Sequence, residues 1–574
     1  VLPFFVTQRA AAHDLFRTGN KPLFSVGSNA MKSFDEKNIL EKIVRYHEET
    51  KHHYHRYARS AGHMDWENQP HPFRFYEETP VVELPILKED PQAAFSDLFE
   101  RRNNPSRGFT IETVAGFLEL SLGLSAWKAA GGSQWALRIN PSSGNLHPTE
   151  AHLVLPQIDA MQGGVYHYNP FLHALERRAA VSDAVWQNIF SHFECRGFLI
   201  GFSSIFWRES WKYGERAFRY CNHDTGHALA AVSFSANLLG WKVKHLNGLS
   251  AQAMETVLGF DKTRFIHLEE EHPELLCFVY PYQRLDIPRT LPDSIISAFS
   301  DIPFGGRPNT LSRRAVNWEI IYKTADLTRK PTTGEEKYIF RDRRWISSDP
   351  LVPSAAGVIR QRRSATSFDR KGSVGRDQFL AILDKTLPRG DCAPFDVELM
   401  EPATHLLLFV HQVNGLEPGL YFFFRNENEF EPIRNKAKPA FLWKPIEKDF
   451  PLFLLEGGNF RQQAMMVSCH QEIAGSSAFS LGMITAFNDV LSKKPFRYRH
   501  LFWETGMVGQ VLYLAAEAHG VRGTGIGCFF DDAVHEILGF EDNQYQSLYH
   551  FTVGTPLDDP RLTTYPPYRH LKNR

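Results

Sequence analysis

Two stretches of this chain have no polar face. Asp224 to Leu239 and Glu504 to His519 are apolar nearly all round and rich in Ala, Ser and Gly. A helix of that kind must be buried on all sides. Its small residues admit another helix at short range, so the two are predicted to pack together where two halves of the chain meet. Shorter apolar runs read as buried strands: Ala151 to Leu155, Gly164 to Tyr168, Leu275 to Tyr280 and Leu406 to Val410. Near the start, Ile39, Leu40, Ile43, Val44 and His47 recur at three-to-four spacing and predict a helix from Ser33 to about Arg59. Helices around a short, mostly antiparallel sheet, present twice, give an α+β class.

The doubling is written in the residues themselves. Thr225-Gly226 recurs as Thr505-Gly506, Gly240 as Gly520, and Leu258-Gly259-Phe260 as Leu538-Gly539-Phe540, each pair 280 residues apart. Upstream, Gly164-Val165-Tyr166 matches Gly419-Leu420-Tyr421 at a spacing of 255, which implies 25 extra residues in the second copy. A solenoid repeats at a far shorter period, so one domain occurs twice. At 574 residues the chain is also too long for one core. The expected layout is a partly helical N-terminal extension (1–96), a first domain (97–282), a linker (283–352) broken by Pro288, Pro292, Pro303, Pro308 and Pro331, and a second domain (353–574).

Composition narrows the function classes. A formal net charge of −1 gives no electrostatic case for a nucleic-acid or membrane partner. The six cysteines are widely separated and form no Cys-x-x-Cys pair, so free thiols in a reducing compartment, the cytoplasm, are expected rather than a disulfide framework. In the first thirty residues Arg9, Arg17 and Lys21 face only Asp14. That composition fits an organellar import sequence or a disordered extension, with Met31 an alternative start. His47, His52, His53, His55 and His63 suggest a metal, but Lys51, Arg56 and Arg59 among them would repel a cation. A solvated polar face, with no metal site, is expected.

The most specific loop is Arg138 to Glu150. Its Pro141-Ser142-Ser143-Gly144-Asn145 core brings two hydroxyls, a glycine and an amide together, enough donors and acceptors for a flat heterocycle or a phosphate. The loop resembles the flavin-contacting motif of the nitroreductase superfamily, in its SagB-type dehydrogenase branch. Three further segments carry the likeness: Trp211 to Tyr220 followed by Asp224-Thr225-Gly226-His227; Arg362-Arg363-Ser364 with Phe368; and Gly523 to Asp532. Together they cover most of the chain from Glu100 onward.

The resemblance implies tandem nitroreductase-like domains forming an intramolecular pseudo-dimer with FMN at the seam. Each copy keeps different parts of the motif set. The second has Arg362-Arg363-Ser364 and Gly525-Ile526-Gly527; the first has Pro141, Ser142, Ser143 and Asn145. Where the second should carry the serine-asparagine loop it has Asp391 to Pro402, and where the first should carry the glycines it has His245 and Asn247. Arg101-Arg102-Asn103 is the nearest first-copy match to the arginine-serine element and lacks the serine. One complete FMN site per chain and one decayed site are expected.

By the same resemblance, Arg362 or Arg363 pairs the phosphate, with Arg561 as a second phosphate contact. Ser364, Ser142, Ser143 and Asn145 meet the pyrimidine edge and ribityl chain, and Gly525, Ile526 and Gly527 let the main chain approach the ring. In azoline dehydrogenases an adjacent Lys-Tyr pair removes a proton while the flavin takes hydride, a role that falls here on Lys212 and Tyr213. Arg208 and Arg216 are the cations expected to tune that lysine. His147 reads as a substrate-facing or packing residue, His227 and Glu504 as satisfied polar groups, and Cys528 as a packed neighbour of the ring rather than a redox thiol. The expected activity is FMN-dependent dehydrogenation of a small-molecule or peptide-derived substrate, by a monomeric pseudo-dimer or a higher oligomer. The alternatives are an NAD(P)H-dependent nitro or quinone reductase and a catalytically silent scaffold.

Overall fold

The computed structural model describes residues 28–100, 104–282, 286–346, 350–352 and 354–571, with side chains from residue 37. The N-terminal segment read as an import sequence and Arg101-Arg102-Asn103 therefore lie outside the described residues.

Two seven-stranded antiparallel sheets hold the core, and six strands of each follow the same order. In the first the order runs Ala174–Ala180, Gly164–Asn169, Thr149–Leu155, Phe198–Ser204, His272–Pro281, Trp241–His245. In the second it runs Phe450–Gly457, Gly419–Phe423, Thr404–Val410, Phe479–Ala486, Tyr545–Gly554, Arg522–Ile526. The seventh strands differ in origin. The second sheet's edge is Lys444–Glu447, which lies with the helix Phe430–Lys436 in the added stretch between Phe423 and Phe450. The spacing change from 255 to 280 has its structural counterpart there. The first sheet's edge is Val81–Glu83, paired with Ala174–Ala180, so residues assigned by sequence to the extension complete the first domain.

The two apolar stretches are the cores of Ala217–Leu238 and Tyr498–Ala518, every residue of which is buried. These helices cross each other at the repeated glycines. A Cβ on Gly226 would lie 2.1 Å from the Trp503 carbonyl oxygen, and one on Gly506 would lie 2.2 Å from that of His223. Hydrogen bonds from Trp503 Nε1 to Asn222 (2.8 Å) and between Thr505 Oγ1 and His223 (3.1 Å) pin the crossing. The two halves thus meet around a glycine-to-backbone contact. Alanine at either glycine gains about 1 kcal/mol of helix propensity but forces two backbones apart, an overpacking cost of about 1–3 kcal/mol. Urea denaturation of Gly226→Ala and Gly506→Ala should show both destabilised. An unchanged midpoint for both would mean that the crossing tolerates the methyl groups.

The first helix spans Ser28–Glu49, ending ten residues before the predicted Arg59. It packs across both halves. Tyr46 Oη donates to the Glu215 carbonyl at 2.8 Å, and the His47 ring meets Tyr498 Oη and Gln546 Oε1, each at 3.2 Å. His47 and His52 are buried, which corrects the expected solvated face; no group of three potential metal ligands occurs among the described residues. Just beyond, Asp531 accepts from Arg216, Arg219 and the His52 N–H. Burial pushes its carboxyl up, but the two arginines overcome this and hold it well below the usual range. The C-terminal strand Thr563–Tyr565 adds to the hairpin of Leu124–Ala130 and Ser133–Arg138, so the second half straps onto the first. No described helix is long and apolar enough to cross a membrane.

Candidate active site

Between the halves lies an outer cleft of about 750 Å³. An inner chamber of about 300 Å³ shares Pro141, Ser142 and Ser364 with it. The outer cleft takes Arg362 and Arg363 from the second half, Arg138, Asn145 and His147 from the first, and a rim from residues 557–564. The inner chamber takes Gly525, Ile526 and Gly527 from the second half and Ser143, Tyr213, Tyr220 and Asp224 from the first. The candidate residues from the two copies therefore converge, with two exceptions: Lys212 lines neither space, and Arg561 stands outside both. Arg561 is 84% exposed and paired with Asp559 at 2.7 Å. Its neighbours Asp559, Pro560 and Leu562 line the cleft, but it does not.

The serine-asparagine loop is held from within. Gly144, Asn145 and His147 all have left-handed backbones. Ser142 Oγ accepts the His147 N–H at 2.8 Å, and Asn145 bonds the Ala136 carbonyl (2.9 Å) and the His147 ring (3.0 Å). The Ser143 N–H donates to Asp224 at 3.1 Å. These side chains, expected to reach for a ligand, first fix the shape of the loop. Gly144 is where the loop meets the Lys-Tyr pair: a Cβ there would lie 2.7 Å from Tyr213 Oη and 3.1 Å from Lys212 Nζ.

The glycine strand is fitted to aromatic rings. A Cβ on Gly525 would lie 1.9 Å from Tyr549 Oη, and one on Gly527 2.3 Å from the Tyr220 ring. Protein packing alone therefore demands glycine at both positions. The Gly525 N–H donates to Tyr513 Oη at 2.9 Å, and the same oxygen meets Ser364 Oγ at 2.9 Å. That N–H is thus committed to Tyr513 and not held out to a flavin.

Electrostatics separate the two spaces. In the outer cleft Arg362 is buried, its Nε has no partner, and its one hydrogen bond is to the Arg138 carbonyl at 3.3 Å. Arg363 donates only to carbonyls, those of Arg360, Arg362 and Ser125. Burial, and for Arg363 the adjacent Arg362, push both guanidinium groups down, Arg363 to about 10. Two desolvated cations, with the Glu517 carboxyl nearby but in no ion pair with either among the described residues, suit a dianionic phosphate group. The donor set of the outer cleft fits FMN on that ground.

Around the inner chamber stand two buried carboxyls. Glu209 and Asp224 are buried, and neither Glu209 oxygen nor Asp224 Oδ2 has a hydrogen-bond partner. Burial, reinforced by Asp224, lifts the Glu209 carboxyl well above its usual range; burial lifts Asp224 to about 7 against the bonds from Ser142 and Ser143. The cations expected to tune Lys212 are committed elsewhere, Arg208 to Glu150 and Arg216 to Asp531. What faces Lys212 is the Glu209 carboxyl.

The lifted carboxyl makes stability depend on pH in an unusual sense. The folded chain holds a proton on Asp224 that the unfolded chain loses near the ordinary aspartate value of 3.8, so this group's contribution falls as pH rises from about 4 to 7 and is flat beyond. Asp224→Asn, which keeps an acceptor for the Ser143 N–H, should be the more stable protein at pH 8 by a few kcal/mol, about 4 at the upper limit. At pH 4 the two should match. Urea titrations of flavin-free protein at both pH values check this, and an equal difference at each would place the effect elsewhere.

The equivalent seam on the other side is filled. His245 and Asn247 replace the glycines, and both ends of the Asn247 amide bond the backbone of Glu336 in the linker. The Glu336 carboxylate pairs Lys494 and Arg497. His500, at the place of Tyr220, stacks on Trp503 at 4.6 Å. Beside His500 and Trp503 a cavity of only about 20 Å³ remains, room for about one water. Ser492 and Lys493 stand where Lys212 and Tyr213 would.

Residues 359–555 match the family model described as the nitroreductase family. A crystal structure from Anabaena variabilis, assigned as a nitroreductase, is 22% identical, with a TM-score of 0.65 over 90% of this chain and 99% of its own. A chain of the E. coli microcin synthetase McbBCD complex with truncated pro-MccB17 bound is 18% identical, with a TM-score of 0.25 over 46% of this chain and 100% of its own. No curated protein matches significantly. Residues 359–555 thus match the nitroreductase family, and the fold along nearly the whole chain is similar to that of the Anabaena variabilis protein.

Proposed function

We propose that this chain is an FMN-dependent oxidoreductase of the SagB type, with one FMN site per chain, formed jointly by the two halves. The observation that carries this reading is the convergence on one seam of Arg362-Arg363-Ser364 from one domain and the Pro141–Asn145 loop with Tyr213 from the other. Arg362 and Arg363 would hold the phosphate, Ser364 and the loop the ribityl chain and pyrimidine edge, and the Gly525–Gly527 strand the ring. When bound, FMN supplies two-electron redox chemistry by exchanging hydride with a substrate. The chain's own part is to exclude water and to move the accompanying proton. Lys212 and Tyr213, together over Gly144, are placed to take it from a carbon of a small or peptide-derived substrate. The duplicated seam has lost its site to the linker.

A visible absorption spectrum with flavin counted per chain tests the reading. One FMN per chain supports it. Two per chain, or a colourless protein that takes up none on dialysis, overturns it. Rapid anaerobic bleaching by NADPH would favour a nitro or quinone reductase over a dehydrogenase.

A further inference from the structure

A chain of buried charges runs from the first sheet to the serine-asparagine loop. Glu176, His167, Glu150 and Arg208 are all buried. Glu176 is fixed first: its carboxylate accepts the Tyr76 N–H and the Asn169 side-chain amide, each at 2.8 Å. The His167 ring lies between two carboxylates, with Nδ1 2.8 Å from Glu176 Oε2 and Nε2 3.0 Å from Glu150 Oε2. A carboxylate only accepts, so both ring nitrogens carry protons and the ring is an imidazolium. Burial works against that charge, but the bonds to Glu150 and Glu176 raise the ring to about 9. The other titratable groups facing it are the Tyr76 and His152 rings, each with centroids at 5.1 Å, and Glu271, which is bonded to both.

The last link leaves the sheet. The other Glu150 oxygen accepts from Arg208 Nη1, and that nitrogen also donates to the His147 carbonyl at 2.7 Å. Arg208 Nε donates to the His71 carbonyl at 3.1 Å. His147 belongs to the serine-asparagine loop, and Arg208 stands one turn before Lys212 in the helix Phe206–Tyr213. Loop and helix therefore meet at two places: Arg208 with His147, and Lys212 and Tyr213 with Gly144. The Ile205 N–H, bonded to the Pro148 carbonyl at 2.9 Å, lies before the helix begins.

The fold itself does without this chain. In the second sheet the residues at the same register are Phe422 and Phe453, paired where His167 pairs with Glu176. Glu150 has its counterpart in His405, and the matching helix Asn488–Lys493 contains no arginine. That helix belongs to the filled seam, so the charges go with the site and not with the sheet.

We propose that Arg208, held by Glu150, His167 and Glu176, is a positioning residue that sets Lys212 and Tyr213 against the serine-asparagine loop. The inference deepens the function proposed above and rests on it for the role of that pair; the clamp itself is tested without flavin.

Hydrogen exchange read by mass spectrometry on flavin-free, full-length protein is the experiment. Arg208→Lys keeps a cation for Glu150 but loses the planar fork that reaches the His147 and His71 carbonyls together. Peptides covering 141–148 and 206–213 should exchange about ten-fold faster than in wild type, with the strand at 272–281 unchanged. On flavin-loaded protein the same variant should lower kcat about ten-fold or more, with KM and FMN content within about threefold. Should Arg208→Lys not fold, His167→Gln, which keeps a donor but no charge, is read in the same way. Its urea midpoint should fall furthest below wild type at about pH 6 and approach it by about pH 9.5. The imidazolium contributes fully below about 6.5 and is lost as pH rises through about 9. No change in either segment, faster exchange spread evenly over the first sheet, or an equal urea deficit at both pH values overturns the proposal. A wild type that takes up no flavin would remove the function instead and leave the exchange comparison to decide the clamp.

Discussion

Replacing Arg362 and Arg363 together by alanine should weaken FMN binding by about 10²–10⁴-fold, measured by equilibrium dialysis. Each charge-assisted phosphate contact is worth about 1.5–3 kcal/mol, and two such contacts set that range. Residues in contact are not additive, so the double variant should fall short of the product of the singles. The same substitution should stabilise the flavin-free protein. Arg362 is buried with an unpartnered Nε, and Arg363 is pushed down to about 10 by burial, so both charges are costs until an anion arrives. Opposite signs for stability and binding distinguish a ligand cradle from a structural arginine pair. If the double variant binds FMN as wild type does, the phosphate sits elsewhere.

The parts of this site that are motifs could be found by reading the chain; the parts that are pairings could not. The apolar runs 224–239 and 504–519 announced two buried helices, and the repeated Thr-Gly dipeptides proved to be where they touch. Six strands of each sheet share one order, as the repeated residues predict. The edge strand Val81–Glu83 was not legible, because three residues of no marked alternation take their partner from elsewhere in the chain. Arg362 and Arg363, singled out in the sequence, line the outer cleft. Arg561 does not: beside Asp559 in sequence, it pairs locally and faces water. The Glu209–Asp224 pair was hidden because fifteen residues and a turn separate two carboxyls that only folding brings near. The linker's hold on the second seam depends on Glu336, whose partners Lys494 and Arg497 are far along the chain.

Substituting Lys212 by methionine or Tyr213 by phenylalanine should lower turnover by about 10²–10⁴-fold, the usual worth of a positioned acid or base. FMN content should stay within about threefold of wild type, because the phosphate cradle is untouched. Burial first, then Glu209, hold the Tyr213 phenol well above its ordinary range, so it keeps its proton as an isolated group. It can accept substrate's proton only in concert with a neighbour that takes its own, and Lys212 Nζ, 5.2 Å from its ring centroid and over the same glycine, is that neighbour. A pair acting as one unit is non-additive, so the double variant should be about as slow as either single one. The assay is dehydrogenation of a thiazoline- or oxazoline-containing peptide by flavin-loaded protein. Single variants that retain wild-type kcat/KM on a substrate the parent oxidises would remove the pair from the chemistry and leave Lys212 as a cation that merely braces the loop at Gly144.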